Sequence, residues 1–168
     1  MDLTRLNRLS PSEACDEFLK CCGSREWAQR MAGSRPFESL EQLHSRASEI
    51  WWTLDRIEWL EAFRSHPKIG GSKAAENVSE QSRAWSGEEQ SGVKSASDQV
   101  LSELASLNKQ YDEKFGFIFI VCASGKTSAE MLAILRARLT NEAETEMRIA
   151  ASEQEKITKI RLRKLFDL

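Results

Sequence analysis

One stretch of this chain reads as a β-strand, and nothing else in the chain is of a quality to pair with it. Residues 115–123, FGFIFIVCA, bring β-branched and aromatic side chains together in a single apolar run. A lone strand is unstable, because its backbone N–H and C=O groups need a partner ladder. The run is therefore expected as a buried extended segment or as a helix apolar all round, not as part of a sheet. Composition points the same way. The 168 residues include only 3 Pro and 8 Gly, against average usage of roughly 5% and 7%. That scarcity argues against β-sandwiches, collagen-like repeats and disordered linkers. A chain of this size buries about 70% of the surface it exposes when unfolded, so it needs no disulfide or metal staple. The expected fold class is all-α: a single-domain helical bundle over residues 1–168 with a long C-terminal helix.

Helix starts recur as a small polar residue followed three later by Glu, the pattern in which each side chain caps the other's backbone N–H. Ser10, Pro11 and Glu13 open a helix with Ala14, Phe18 and Leu19 on one face, and Gly23 stops it. A shorter helix follows around Trp27 and Met31. Leu40, Leu43, Ala47, Ile50 and Trp51 recur at spacings of three and four. Asp55 and Glu58 begin the next helix, which must end at His66 because Pro67 disfavours the α conformation of the residue before it. HPKIGGSKAAEN, with Gly70 and Gly71, reads as a loop. From Ser79 one or two helical turns are expected, and Ser86 opens another helix. Ser97 starts a helix through Val100, Leu104 and Tyr111. Thr127 with Glu130, and Asn141 with Glu144, start the last two, the final one running through Phe166.

Charge and cysteine usage narrow the setting. With 24 basic and 26 acidic residues the net charge is −2, so long-range attraction to nucleic acid or to an anionic membrane is not expected. No stretch approaches the roughly 18 apolar residues of a membrane span, and the first 25 residues are too charged for a signal peptide. Cys15, Cys21, Cys22 and Cys122 lack C-x-x-C spacing and read as free thiols of a reducing, intracellular compartment. With two His, no metal site is expected.

Several clusters have two readings. FIFIVCASGKTS imitates a strand and phosphate-binding loop, but the loop needs a second glycine where Ile120 stands, so it is read as ordinary helix entry. His66 either supplies a proton near neutral pH or complements a helix C-terminus. His44, on a helix flank, is read as structural. Ser86 and Glu89 form either a capping box or, with Gln90, a polar set offered to one ligand. Arg161 falls on the stripe Ala143, Met147, Ala150, Gln154, Ile157. It either faces inward, needing an anionic partner, or snorkels to the surface. Lys156, Lys159, Arg163 and Lys164 around it read as a solvated face.

Taken in order, SHPKIGG at 65–71, WSGEEQSG at 85–92, LNKQYDEKFGFIFIVCASGKT at 107–127 and EMRIAASEQEKITKIRLRKLF at 146–166 resemble the 2-oxo-4-hydroxy-4-carboxy-5-ureidoimidazoline (OHCU) decarboxylase family. The likeness is strongest to the decarboxylase domain of plant-type bifunctional allantoin synthases. It implies an all-α homodimer that decarboxylates OHCU to (S)-allantoin in urate breakdown, without metal or organic cofactor. By resemblance His66 is the proton donor and Glu89 the second catalytic residue. Pro67, Ser86, Gly87, Glu88, Glu89 and Gln90 contact substrate, the backbone of Phe119, Ile120, Val121, Cys122 and Ala123 lines the ring, and Arg161 contacts the ligand. A transthyretin-like hydroxyisourate hydrolase is implied as pathway partner or fused domain. The terminal FDL is not a peroxisomal address, so the expected compartment is bacterial cytoplasm or eukaryotic peroxisome. The competing functions are a non-catalytic helical interaction domain and a hydrolase of a related ureido compound.

Overall fold

A computed structural model describes residues 1–69, 78–93 and 96–167; Gly70 and Gly71 of the expected loop lie outside the described residues. Among the described residues all regular structure is helical, as the sequence implies. The chain divides into two compact units, Met1–Ala62 with Glu155–Leu168, and Phe63–Gln154.

The first unit contains α1 (Leu3–Arg8), α2 (Pro11–Cys21), α3 (Arg25–Gly33), α4 (Leu40–Trp52) and most of α5 (Arg56–Arg64), together with the end of α9 (Ala143–Leu165). Polar caps start several of these helices, the one on α2 where the sequence places it. Ser10 and Glu13 close a reciprocal capping box on α2, and the Ser24 and Ser39 hydroxyls accept N–H groups of α3 and α4. α1, capped by Asp2, has no counterpart in the sequence expectations; six residues are too few to display a periodic stripe. The core here is aromatic. Phe18 meets Trp27 and Phe37 edge-on at centroid distances of 5.9 and 6.3 Å. The indole N–H of Trp27 donates to the Ala47 carbonyl at 3.0 Å, so its burial leaves no polar atom stranded.

The second unit contains α6 (Glu80–Glu89), a 3-10 turn (Ser91–Val93), α7 (Asp98–Phe115), α8 (Ser128–Arg138) and the first part of α9. One boundary differs from expectation. α9 begins at Ala143, later than the start expected at Asn141, whose amide donates to Glu146 Oε2 at 2.7 Å. Ala143, expected on the apolar stripe, is exposed, whereas Met147, Ala150, Gln154, Ile157 and Arg161 are buried. α7 ends at Phe115 and is capped by Gly116, which takes a left-handed φ of +76° and donates its N–H to the Asp112 carbonyl at 2.9 Å. The chain thereby leaves the helix directly into the apolar run.

Beyond Phe115, which ends α7, the run is neither helix nor sheet, which selects the buried extended alternative. Phe117 and Phe119 both lie against the Tyr111 ring, at 5.7 and 5.4 Å between centroids. Side chains two apart on one face mark an extended backbone.

Candidate active site

Three segments singled out in the sequence lie in the second unit: the His66–Pro67 loop, the end of α6, and residues 119–123. α5 stops at Arg64, two residues short of the end expected at His66, and the His66 N–H donates to the Phe63 carbonyl at 3.1 Å. The His66 side chain is half-buried with Nε2 shut off from solvent. The loop behind it is fastened from two helices. Gln90 Nε2 donates to the Pro67 carbonyl at 3.4 Å. From α7, Asn108 Nδ2 reaches the Ile69 carbonyl at 3.3 Å, and Asp112 pairs with Lys68 at 2.7 Å.

α6 corrects one expectation. Its cap is Ser79, which accepts the Ser82 N–H at 3.1 Å, and the helix runs unbroken to Glu89. Ser86 therefore opens no helix of its own, and the capping-box reading of Ser86 and Glu89 falls. Instead Ser82, Trp85, Ser86 and Glu89 share the buried face, with Glu89 only 8% exposed. Ser86 and Glu89 thus place a hydroxyl and a carboxylate one turn apart on that buried face. Gly87 and Glu88 point to the exposed side of the same helix.

Residues 119–123 are all buried. Burial holds the Cys122 thiol above its ordinary range; Lys126 opposes this, while the charges of Glu153 and Glu89 add to it. Gly92, in the 3-10 turn after α6, lies against the Lys126 main chain. A Cβ there would stand 2.1 Å from the Lys126 carbonyl oxygen, so only glycine permits the approach.

Arg161 lies in the first unit and is 2% exposed, which decides against snorkelling. Its charge tempers two buried thiols: burial still pushes Cys21 up strongly, and Cys22 to about 11. His44 sits in the same unit, half-buried in a groove of about 490 Å³ with Leu40, Glu41, Lys159 and Arg163. Among the described residues no group of three or more His, Cys, Asp or Glu side chains is arranged to hold a metal ion. Among the described residues no helix is long and apolar enough to cross a membrane.

Sequence reasoning missed Asn108, Arg138, Glu146 and Glu153. Arg138 and Glu146 are an ion pair buried almost completely, with Tyr111 donating its hydroxyl to Glu146. The available signal was polar residues on the inward face of α9, where Glu146, Gln154 and Arg161 are all buried.

The sequence profile described as OHCU decarboxylase matches residues 7–163. The chain is 44% identical over 152 residues to the uric acid degradation bifunctional protein TTL of Arabidopsis thaliana, covering 90% of this chain and 47% of that protein. It therefore spans about half the length of that relative. It is 28% identical over 167 residues to the 2-oxo-4-hydroxy-4-carboxy-5-ureidoimidazoline decarboxylase of Haloferax volcanii, covering 99% of this chain and 96% of that one. A crystal structure of OHCU decarboxylase in the presence of (S)-allantoin superposes with a TM-score of 0.79 at 41% identity, covering 91% of this chain and 99% of the other.

Proposed function

Because the chain belongs to the OHCU decarboxylase family, we propose that it decarboxylates OHCU to (S)-allantoin, with His66 as the proton donor. The observation that carries this reading is the buried polar face of α6. Ser86 and Glu89 are turned inward there, Gln90 is tied to the Pro67 carbonyl beside His66, and Glu89 acts on Cys122 of the extended segment. A hydroxyl, a carboxylate and an amide gathered at the end of α6 suit a small, hydrogen-bonding heterocycle.

The chemistry suits these residue types. As the C–C bond to the carboxylate breaks, CO₂ leaves and the electron pair passes into the ring system. A carbon of that ring must then accept a proton from one face. A single imidazole held in a loop of fixed course delivers it from one side, which sets the handedness of the product. Glu89 accepts a hydrogen bond from the substrate hydroxyl, Ser86 satisfies a ring amide, and main-chain groups of 119–123 pair with the remaining ring N–H and C=O. Pro67, Gly87 and Glu88 are assigned to the ligand by the family resemblance. The reading takes residues 1–168 as one decarboxylase domain, active as a homodimer without metal or organic cofactor. A transthyretin-like hydroxyisourate hydrolase is the pathway partner, and the compartment is cytoplasm or peroxisome.

The test is to generate OHCU from urate in place and follow optical rotation as allantoin forms. Acceleration over spontaneous decay, with one enantiomer in excess, is the expected result. Release of ammonia or urea without CO₂ would overturn the reaction assigned. His66→Asn is expected to lower kcat by at least about a hundredfold, while circular dichroism and Tm stay near wild type. A matching loss of fold would make His66 structural.

A further inference from the structure

We infer that Arg138 and Glu153 are positioning residues: they clamp one edge of the extended segment and leave its other edge free for the ligand. The inference rests on the reading of residues 119–123 as the wall that meets the heterocycle.

The pattern of main-chain hydrogen bonds carries it. In an extended chain the N–H and C=O of one residue point to the same edge, and those of the next residue to the opposite edge. Arg138 donates a guanidinium N–H to the Ile120 carbonyl at 2.6 Å. The Cys122 N–H donates to Glu153 Oε2 at 2.8 Å, and the Cys122 carbonyl accepts from Lys126 Nζ at 2.7 Å. All three bonds fall on residues 120 and 122, hence on one edge. Among the described residues, no hydrogen bond engages the main-chain N–H or C=O of Phe119 or Val121. These residues are buried, and buried main-chain groups are rarely left without a partner. A flat ring carrying an N–H beside a C=O matches the N–H and C=O of Val121 as a neighbouring strand would.

The clamps are themselves held. Arg138 Nε donates to Glu146 Oε1 at 2.6 Å, its second amino group reaches the Tyr111 hydroxyl at 3.2 Å, and its guanidinium lies over the Phe119 ring at 4.8 Å. Asn141 binds the other Glu146 oxygen. A guanidinium fixed by its counterion, a hydroxyl and an aromatic face has little freedom left, so the carbonyl it binds is fixed as well. Lysine cannot reproduce that fork.

The test compares Glu153→Gln, which keeps a side-chain carbonyl oxygen for the Cys122 N–H, with Glu153→Ala, which does not. Two measurements are made on each: steady-state kinetics on OHCU, and amide hydrogen exchange of residues 117–123. Glu153→Ala is expected to raise KM by about tenfold, the loss of roughly one hydrogen bond's worth of alignment, with a smaller change in kcat. It should also speed exchange at the Cys122 amide. Glu153→Gln is expected to restore both. Equal losses in the two variants would mean that charge, and not the hydrogen bond, matters, which overturns the clamp. So would a lowered Tm with KM and Cys122 exchange unchanged. If wild type does not turn over OHCU, the decarboxylase reading fails, and the exchange arm still decides whether the clamp exists.

Discussion

His44 and His66 are the only histidines, and their surroundings give them different work. His44 is held below the ordinary histidine value of 6.5, chiefly by burial and then by Arg163 and Lys159, with Glu41 opposing. An unfolded chain takes up the His44 proton as pH falls through that value, while the folded chain resists it. The unfolded state then binds more protons, so stability is full above the ordinary value and declines below it, toward the depressed folded one. His44→Gln is expected to shrink the drop in Tm between about pH 7.5 and about pH 5.5. An imidazole titration followed by NMR should place His44 below 6.5 in the folded protein. His66 was legible as a candidate because Pro67 forces a helix to stop beside it. Its choice between proton donor and helix-end cation was not legible, since that depends on what the loop faces. Asn108, Gln90 and Asp112 fasten that loop from far along the sequence.

Among the elements, α6 shows where local pattern misleads. The S-x-x-E spacing fits a helix start at Ser86 as well as it fits two residues one turn apart inside a helix. Only the cap at Ser79 decides, and Ser79→Ala is expected to cost about 1 kcal/mol in urea unfolding. The turn after α6 is the stricter position. Gly92→Ala drives a methyl group into the Lys126 carbonyl, which is expected to cost about 1–3 kcal/mol. KM should rise as well, because the shift moves Glu89 relative to the extended segment. Urea unfolding and OHCU kinetics on the same preparation check both effects. Where helices are amphipathic over three turns or more, apolar spacing foretold them closely, with the cap as well in α2 and α7 and by spacing alone in α4. α1 escaped because it is too short.

At the scale of the molecule, the buried Arg138–Glu146 pair with Tyr111 ties α7, α8 and α9 to the Ile120 carbonyl inside the second unit. Removing one partner strands the other charge in a place without water. Arg138→Met is expected to cost about 3–5 kcal/mol, and the Arg138→Met/Glu146→Leu double variant to recover much of that, by thermal unfolding. No spacing rule announces such a network, because its members are brought together by packing and not by helical period. The sequence by itself determined the helical class, since an unpaired apolar run cannot make a sheet and the capped stripes could only be helices. It also determined the family, through four motifs in order along the chain. Tertiary structure alone decided which groups of that run remain open. Each residue of an extended chain exposes its main-chain groups to one edge or the other, and only packed neighbours such as Arg138 and Glu153 determine which edge is filled.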